Sequence, residues 1–247
     1  MTIYDHARAE SPRYRAVQQQ MLDALARSEW RPGEVIPSEK RLCERFGVSI
    51  GTLRKAIDGL VNSHILVRQQ GLGTFVASHD RPRQFFQFFN FAPHEGARTY
   101  PDVRLLQFSS AKADKLVAEK LNVEVGSELH KIRNLLLMDG LPAIVDTIFL
   151  PAALFRGLTE SLIRDRPSTL YSLYADKFGI NVIRIDERVR AGAANASSAK
   201  LLGLRAGAPV LEVRRIAFSF NDQPVEWRIS HVNTNHHEYV HRDALRS

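Results

Sequence analysis

The sequence has a single cysteine, Cys43, in 247 residues, so no disulfide can close within the chain. That fits a reducing cytoplasm. No apolar run approaches the roughly 20 residues that a membrane-spanning helix needs, and no membrane partner is expected. The first residues, MTIYDHARAESPRYR, carry acids early and no apolar stretch, which is not the pattern of a secretory signal. There is no phosphate loop, no metal motif and no nucleophile–base pair with supporting context, so an enzyme reading finds little to stand on and no cofactor is expected. The histidines near the end, His231, His236, His237 and His241, are joined by no cysteine and no second carboxylate motif. They read as solvated or edge residues rather than as metal ligands.

What is present is an ordinary globular composition, 44% hydrophobic and 25% charged, long enough for one large domain or two ordinary ones. The formal net charge of +7 invites a nucleic-acid reading. The excess is not concentrated at one end, because residues 1–80 hold 11 Lys and Arg against 9 Asp and Glu. Only Lys40 to Lys55 is locally basic, with Lys40, Arg41, Arg45, Arg54 and Lys55 against Glu44.

Val17, Met21, Leu22 and Leu25 recur at helical spacing and predict an amphipathic helix over Arg13 to Arg27. RPGEVIPSEK breaks it. Ser38 is placed to cap a second helix, with Arg41 where a capping box would have Glu or Gln. Gly47 ends that helix. Ser49 caps a third, whose buried stripe is Leu53, Ile57, Leu60 and Val61. ILVRQQGLGTFVAS then reads as two short strands around a glycine-containing tip. Three helices followed by a hairpin make a winged helix-turn-helix. In its wing, Gly71 and Gly73 permit close backbone approach, while Arg68, Gln69 and Gln70 supply charge and hydrogen bonds.

The stretch from Ser28 to Ser78 resembles the DNA-binding domain of the GntR family of bacterial transcription regulators. The resemblance rests on G-x-x-[IL]-P-S-E, L-x-x-x-F-G-V-S, T-[LV]-R-x-A-[IL] and V-R-x-x-G-x-G-T-F-V, in that order. It implies DNA contacts from Lys40, from Ile50, Gly51 and Thr52 at the start of the third helix, from Arg54, and from Gly71 in the wing. Ser49, Lys55 and Gln70 are further candidates for DNA contact beside them. At position 50 the family usually carries arginine. Isoleucine there removes a long donor that could pair with guanine or a phosphate, which alters the expected base preference more than the fold.

Residues 79–84 read as a linker, with Pro82 inside it. FFQFFNF follows, and its aromatics favour strand and core over base stacking. Farther on the chain repeats itself. KLNVEVGSELHKIRNLLLMDGLPAIVDTI parallels LLGLRAGAPVLEVRRIAFSFNDQPVEWRI, matching Leu121 with Leu202, Gly126 with Gly207 and Arg133 with Arg214. One extra residue in the second turn then aligns Pro142 with Pro224. Each copy predicts a helix, a glycine-containing turn, a strand, a tight turn and a second strand. The turns are Asp139-Gly140 and Asn221-Asp222. STLYSLYADKFG is a helix between the copies, and the whole is an α+β domain with a largely antiparallel sheet.

From Phe85 to Tyr239 the chain resembles the UTRA ligand-sensing domain of the HutC-type branch of the GntR family, which has the chorismate-lyase fold. The markers are D-G-x-P with F-L-P downstream, T-L-Y-x-L, A-x-x-L-x-x-x-x-G-x-P-[VL]-L-x-[IV]-x-R and x-P-V-E-[WY]. The resemblance implies an effector pocket at Asp146, Thr169, Tyr171 and Glu226. Strand alternation puts Arg228 on the same face as Glu226. It also places Asn134 and Leu136 where members that bind sugar phosphates tend to carry two arginines. Losing both argues against a sugar-phosphate effector, since a phosphate wants arginine forks or backbone amides.

The expectation is therefore a winged helix-turn-helix over residues 10–78 and a UTRA-like effector-binding and dimerisation domain over residues 85–247. Together they would make a cytoplasmic regulator that binds a double-stranded operator as a homodimer and responds to a small molecule. The rival readings are a DNA-binding regulator without an effector and a lyase-like enzyme on the C-terminal fold.

Overall fold

The computed structural model describes residues 13–27, 29–63, 65–77, 88–95, 100–166 and 169–240. The chain divides into two units, residues 1–78 and 79–247. The linker, Phe85, Phe86 and His241 lie outside the described residues.

In the first unit, α1 (Arg13–Ala26) buries Val17, Met21, Ala24 and Leu25. Helix α2 (Glu39–Phe46) starts at Ser38, whose side chain makes no capping hydrogen bond. Glu39 in the first turn instead matches the helix dipole. Gly47 closes α2 in the left-handed region at φ 63°. Helix α3 (Ile50–Asn62) is capped as its sequence predicts, with the Ser49 hydroxyl accepting from the Thr52 N–H at 3.3 Å. Its stripe of Leu53, Ala56, Ile57 and Leu60 is buried, and α3 packs on α1 and α2. The wing is the antiparallel pair β1 (Leu66–Gln69) and β2 (Gly73–Val76). The segment before α2 lies along β2, with Val35 bridging Phe75 and the Val76 N–H donating to the Glu34 carbonyl at 2.8 Å. The wing is thereby tied to the chain that leads into α2.

The second unit contains the short pair β3 (Phe91–Pro93) and β10 (His237–Tyr239), and a six-stranded antiparallel sheet. The sheet comprises β4 (Asp102–Lys112), β5 (Glu128–Met138), β6 (Leu141–Pro151), β7 (Arg184–Ala193), β8 (Pro209–Phe218) and β9 (Pro224–Val232). Their order is β4-β5-β6-β9-β8-β7. That order is the duplication made visible. One copy is β4, α4 (Lys115–Leu121), β5 and β6, and the other is β7, α7 (Ala196–Leu202), β8 and β9. A pseudo-two-fold axis passes between β6 and β9, where Thr147 faces its counterpart Ile229.

The two copies close their helices alike. Asp114 and Asn195 cap α4 and α7 by accepting from Val117 and Ser198. The Gly126 N–H reaches the Ala113 carbonyl, and the Gly207 N–H reaches that of Ala194, both at 2.8 Å. The hairpin turns run through left-handed backbone at Asp139-Gly140 and Asn221-Asp222, as the repeat alignment anticipated. The strands β4 and β7 that precede each helix were absent from the sequence reading. They are edge strands with most side chains exposed, so their apolar alternation is weak.

Between the copies lie α5 (Glu160–Arg164) and α6 (Leu170–Phe178), the latter capped by Thr169. Helix α6 packs Tyr171, Leu173 and Tyr174 with Phe155 over Ile132, Ile148 and Ala217 on one face of the sheet. The other face carries α4 over Trp227 and α7 over Val145 and Val210. Phe88 and Phe91 are buried in apolar clusters, a core role for that part of the aromatic run.

Candidate functional site

On the first unit, Lys40, Ser49, Ile50, Gly51, Arg54, Lys55, Gln70 and Gly71 are exposed, and Thr52 is half-buried. Ile50 is 50% exposed at the start of α3, and Leu72, beside Gly71 on the wing tip, is 69% exposed. Not all the polar groups are free. The Thr52 hydroxyl lies 3.0 Å from that of Ser49. The Arg54 guanidinium forks onto Glu39, with Nε 3.0 Å and Nη2 2.8 Å from Oε2. This brace ties α3 to the first turn of α2 and holds the Glu39 carboxyl below its ordinary range, chiefly through the Arg54 hydrogen bond. Lys55 sits 4.5 Å from the centre of the Tyr14 ring, and Arg68 pairs with Asp58 at 2.6 Å.

Gly51 has ordinary helical backbone, and a Cβ there would meet nothing within 4 Å. The fold does not require a glycine at this position. In a helix it costs roughly 0.5–1 kcal/mol relative to alanine. What it leaves is bare backbone at the exposed start of α3.

On the second unit, a cavity of about 430 Å³ opens between the sheet and α6. Six of the seven residues that the sequence pointed to for an effector line it: Asn134, Leu136, Asp146, Thr169, Tyr171 and Arg228. Asn134 and Asp146 are nearly inaccessible on β5 and β6, and Thr169 lies at the cap of α6.

Glu226 does not open onto the cavity. It is fully buried, and its two oxygens receive four donors. Tyr171 and Tyr174 hydroxyls donate at 3.0 and 2.8 Å. Arg228 donates from Nε at 2.9 Å and Nη2 at 3.1 Å. Asp146 completes the frame, accepting from Arg228 Nη1 at 3.1 Å and from the Ser230 hydroxyl at 2.6 Å. Burial and the neighbouring Glu226 charge push the Tyr171 hydroxyl up to about 12, so it is a hydrogen-bond donor at neutral pH. Burial disfavours the Arg228 charge, but Glu226 and Asp146 outweigh it and raise its pKa well above the ordinary value.

The sequence reading missed three of the cavity's arginines, Arg164, Arg166 and Arg215. Arg215 occupies the place in the second copy that Asn134 occupies in the first, and both line the cavity. Its Nε donates to Glu187 at 2.7 Å and its Nη2 donates to the Phe88 carbonyl. Glu187 also accepts from Asn90 at 2.8 Å and Tyr239 at 2.7 Å. Burial raises the Glu187 pKa, but Arg215 and these hydrogen bonds outweigh burial and hold it below the ordinary value. A signal for Arg215 was available, because it closes the G-x-P-[VL]-L-x-[IV]-x-R stretch and aligns with a pocket position. Arg166, in the loop before α6, had none. Its Nε is buried without a hydrogen-bond partner, and the Asn134 Oδ1 is likewise unpartnered.

The cavity arginines are therefore unequal. Arg164 is paired with Glu160, Arg215 with Glu187, and Arg228 with Glu226 and Asp146. Arg166 meets no carboxylate among the described residues, and burial lowers its pKa. The lining can accept an anion and hydrogen-bond donors from a ligand.

A family model described as "Bacterial regulatory proteins, gntR family" matches residues 13–76, and the "UTRA domain" model matches residues 97–238. The chain belongs to the GntR family of bacterial transcriptional regulators. Such regulators bind DNA and, through UTRA, small-molecule effectors. The chain is 31% identical over 86% of its length, and 86% of the other's, to the Escherichia coli protein named "Probable fructoselysine utilization operon transcriptional repressor". It is 27% identical over 93% of its length, and 94% of the other's, to the "HTH-type transcriptional repressor NagR" of Bacillus subtilis. These names are of regulators rather than enzymes. Among solved structures, the ligand-binding domain of a GntR-family regulator from Bordetella bronchiseptica superimposes with a TM-score of 0.60 at 34% identity. That match covers 63% of this chain and 96% of the other. In this GntR regulator no described helix is long and apolar enough to cross a membrane.

Proposed function

We propose that this regulator is a repressor that binds a pseudo-palindromic operator as a homodimer, and that a small carboxylate ligand in the UTRA cavity changes its affinity for that operator. Two winged helices would read half-sites about one helical turn apart. Control requires the ligand to favour one of two arrangements that differ in DNA affinity.

On the DNA side, the proposed contacts are Lys40, Ser49, Ile50, Gly51, Thr52, Arg54, Lys55, Gln70 and Gly71. Ile50 offers an apolar contact, such as a thymine methyl, in place of a guanine-reading arginine. Arg54 can exchange Glu39 for a phosphate because the pair is exposed. On the ligand side, the observation that carries the proposal is the cavity itself, with an unpartnered Arg166 Nε and an unpartnered Asn134 Oδ1. One guanidinium without a carboxylate matches a singly charged carboxylate better than a phosphate dianion. Asn134, Asp146 and Thr169 would take its hydroxyl or amine groups. Tyr171 and Arg228 form the floor, and Glu226 holds both in place from behind.

The test is a thermal-shift screen of hydroxy and amino carboxylates against their phosphate counterparts, on the full chain. A tight ligand raises the melting temperature by mass action. The expected hit is a carboxylate whose shift disappears in Arg166→Gln and which changes operator affinity. A phosphate ester as the only hit, or a shift that survives in Arg166→Gln, overturns the carboxylate assignment.

A further inference from the structure

The face of the sheet opposite the effector cavity carries a second concavity of about 430 Å³, beside the start of α7. It is built by the duplication. Its floor is the pair Thr147 and Ile229, where the pseudo-two-fold axis crosses the sheet. Lys131, Arg133, Thr147 and Phe149 of the first copy line it, and so do their four counterparts Glu212, Arg214, Ile229 and His231 in the second.

One cross-strand row decides its chemistry. Gln107, Arg133, Thr147, Ile229, Arg214 and Arg188 stand side by side from β4 to β7. At about 4.8 Å per strand, Arg133 and Arg214 are anchored about 14 Å apart across the axis. Two long guanidinium side chains can close over that span. Like charges gathered on one face are unfavourable unless an anion sits among them.

A local carboxylate supplies it for Arg214 but not for Arg133. Among the described residues Glu212 is the lone acid lining the groove, and it is taken by Arg190 and Arg214. Arg133 donates to the Ser197 hydroxyl at 2.8 Å, and Lys131 lies 5.7 Å from the centre of the Phe149 ring. Among the described residues neither cation meets a carboxylate. The copies also differ where they could have matched. The first packs Val117 with Trp227 and the half-buried Phe149, an apolar junction. The second has Ser198 bonded at 2.9 Å to His231 Nδ1, whose Nε2 lies 3.9 Å from Glu212. Packing alone is satisfied by the apolar version, so the polar version has another use.

We propose that this groove binds a small oxyanion, a carboxylate or phosphate group, held between Arg133 and Arg214 over Thr147, with Lys131 at its side. The site is separate from the effector cavity but shares its strands. Thr147 follows Asp146, and Ile229 follows Arg228, with alternate side chains on opposite faces.

The test is calorimetric titration of the full chain with inorganic phosphate and with succinate, each against sodium chloride at matched ionic strength. One of the two should bind saturably. Arg133→Gln, which keeps the side-chain stem, should weaken it at least about tenfold, and Arg166→Gln in the effector cavity should leave it unchanged. Should Arg133→Gln melt early, Lys131→Gln gives a second reading at the same wall. The proposal is overturned if neither anion exceeds the sodium chloride control, or if Arg166→Gln weakens binding as much as the groove variants do.

Discussion

In the winged helix, the Arg54–Glu39 pair lies at the surface, with the arginine side chain 58% exposed. In the UTRA domain, Glu226 is fully buried behind Arg228 and collects four donors. Water screens the first pair, so it adds little to stability and its members can change partners. The second is shut off from water, with Asp146 as the one further carboxylate that Arg228 meets among the described residues, so removing a member leaves a buried charge short of partners. The same two residue types therefore serve a movable contact in one unit and a fixed frame in the other.

The largest expected effect tests the frame. Glu226→Gln leaves Arg228 with Asp146 alone and weakens two tyrosine hydrogen bonds, so the UTRA unit should lose about 3–5 kcal/mol in a urea melt. A loss under about 1 kcal/mol, the scale of a surface pair, would erase the contrast between the two pairs. Next comes Arg54→Ala. Operator affinity should fall and the slope of log K against log salt should drop by about one unit, with the melting temperature unchanged. Anisotropy titrations over a salt series read both, and an unchanged slope removes Arg54 from the DNA surface.

Gly51→Ala sharpens the comparison within α3. The change should stabilise the winged helix by about 0.5–1 kcal/mol while weakening operator binding, because a methyl group would fill the bare backbone at the helix start. Stabilisation without loss of binding means DNA does not approach there. The smallest effect concerns His237, which burial holds below its ordinary value of 6.5 against the opposing pull of Asp139, with His236 and His94 adding to the depression. A depressed histidine must take up a proton at cost, so its contribution is whole above pH 6.5 and is lost as pH falls through the folded value. Melting temperatures from pH 7.5 to 5 should decline more steeply in the wild type than in His237→Gln.

How much of this was legible in the sequence differs between the units for a physical reason. The winged helix is written in local signals, namely caps, a C-terminal glycine and helical periodicity. Ser49, Gly47 and the hairpin ends fell close to their observed places. Ser38 shows the limit, since it occupies the cap position without making the bond. In the UTRA domain the repeat exposed the hairpins, but β4 and β7 carry too little apolar alternation to be seen. The cavity residues found early were those named by motif. Arg166 lies in a loop, and only the fold brings it to the cavity that Asn134 also lines. Glu226 was correctly grouped with Arg228, but a strand pattern cannot tell a residue that lines a cavity from one sealed behind it.

The bond from Arg215 to the Phe88 carbonyl has a mechanical consequence. Phe88 is the first described residue after the stretch that joins the two units, and Arg215 is part of the cavity wall. The described chain of the UTRA unit thus begins at a residue moored to the wall of the chamber that a metabolite would enter. A guest that drew Arg215 toward itself would slacken that mooring without touching the DNA-reading helix.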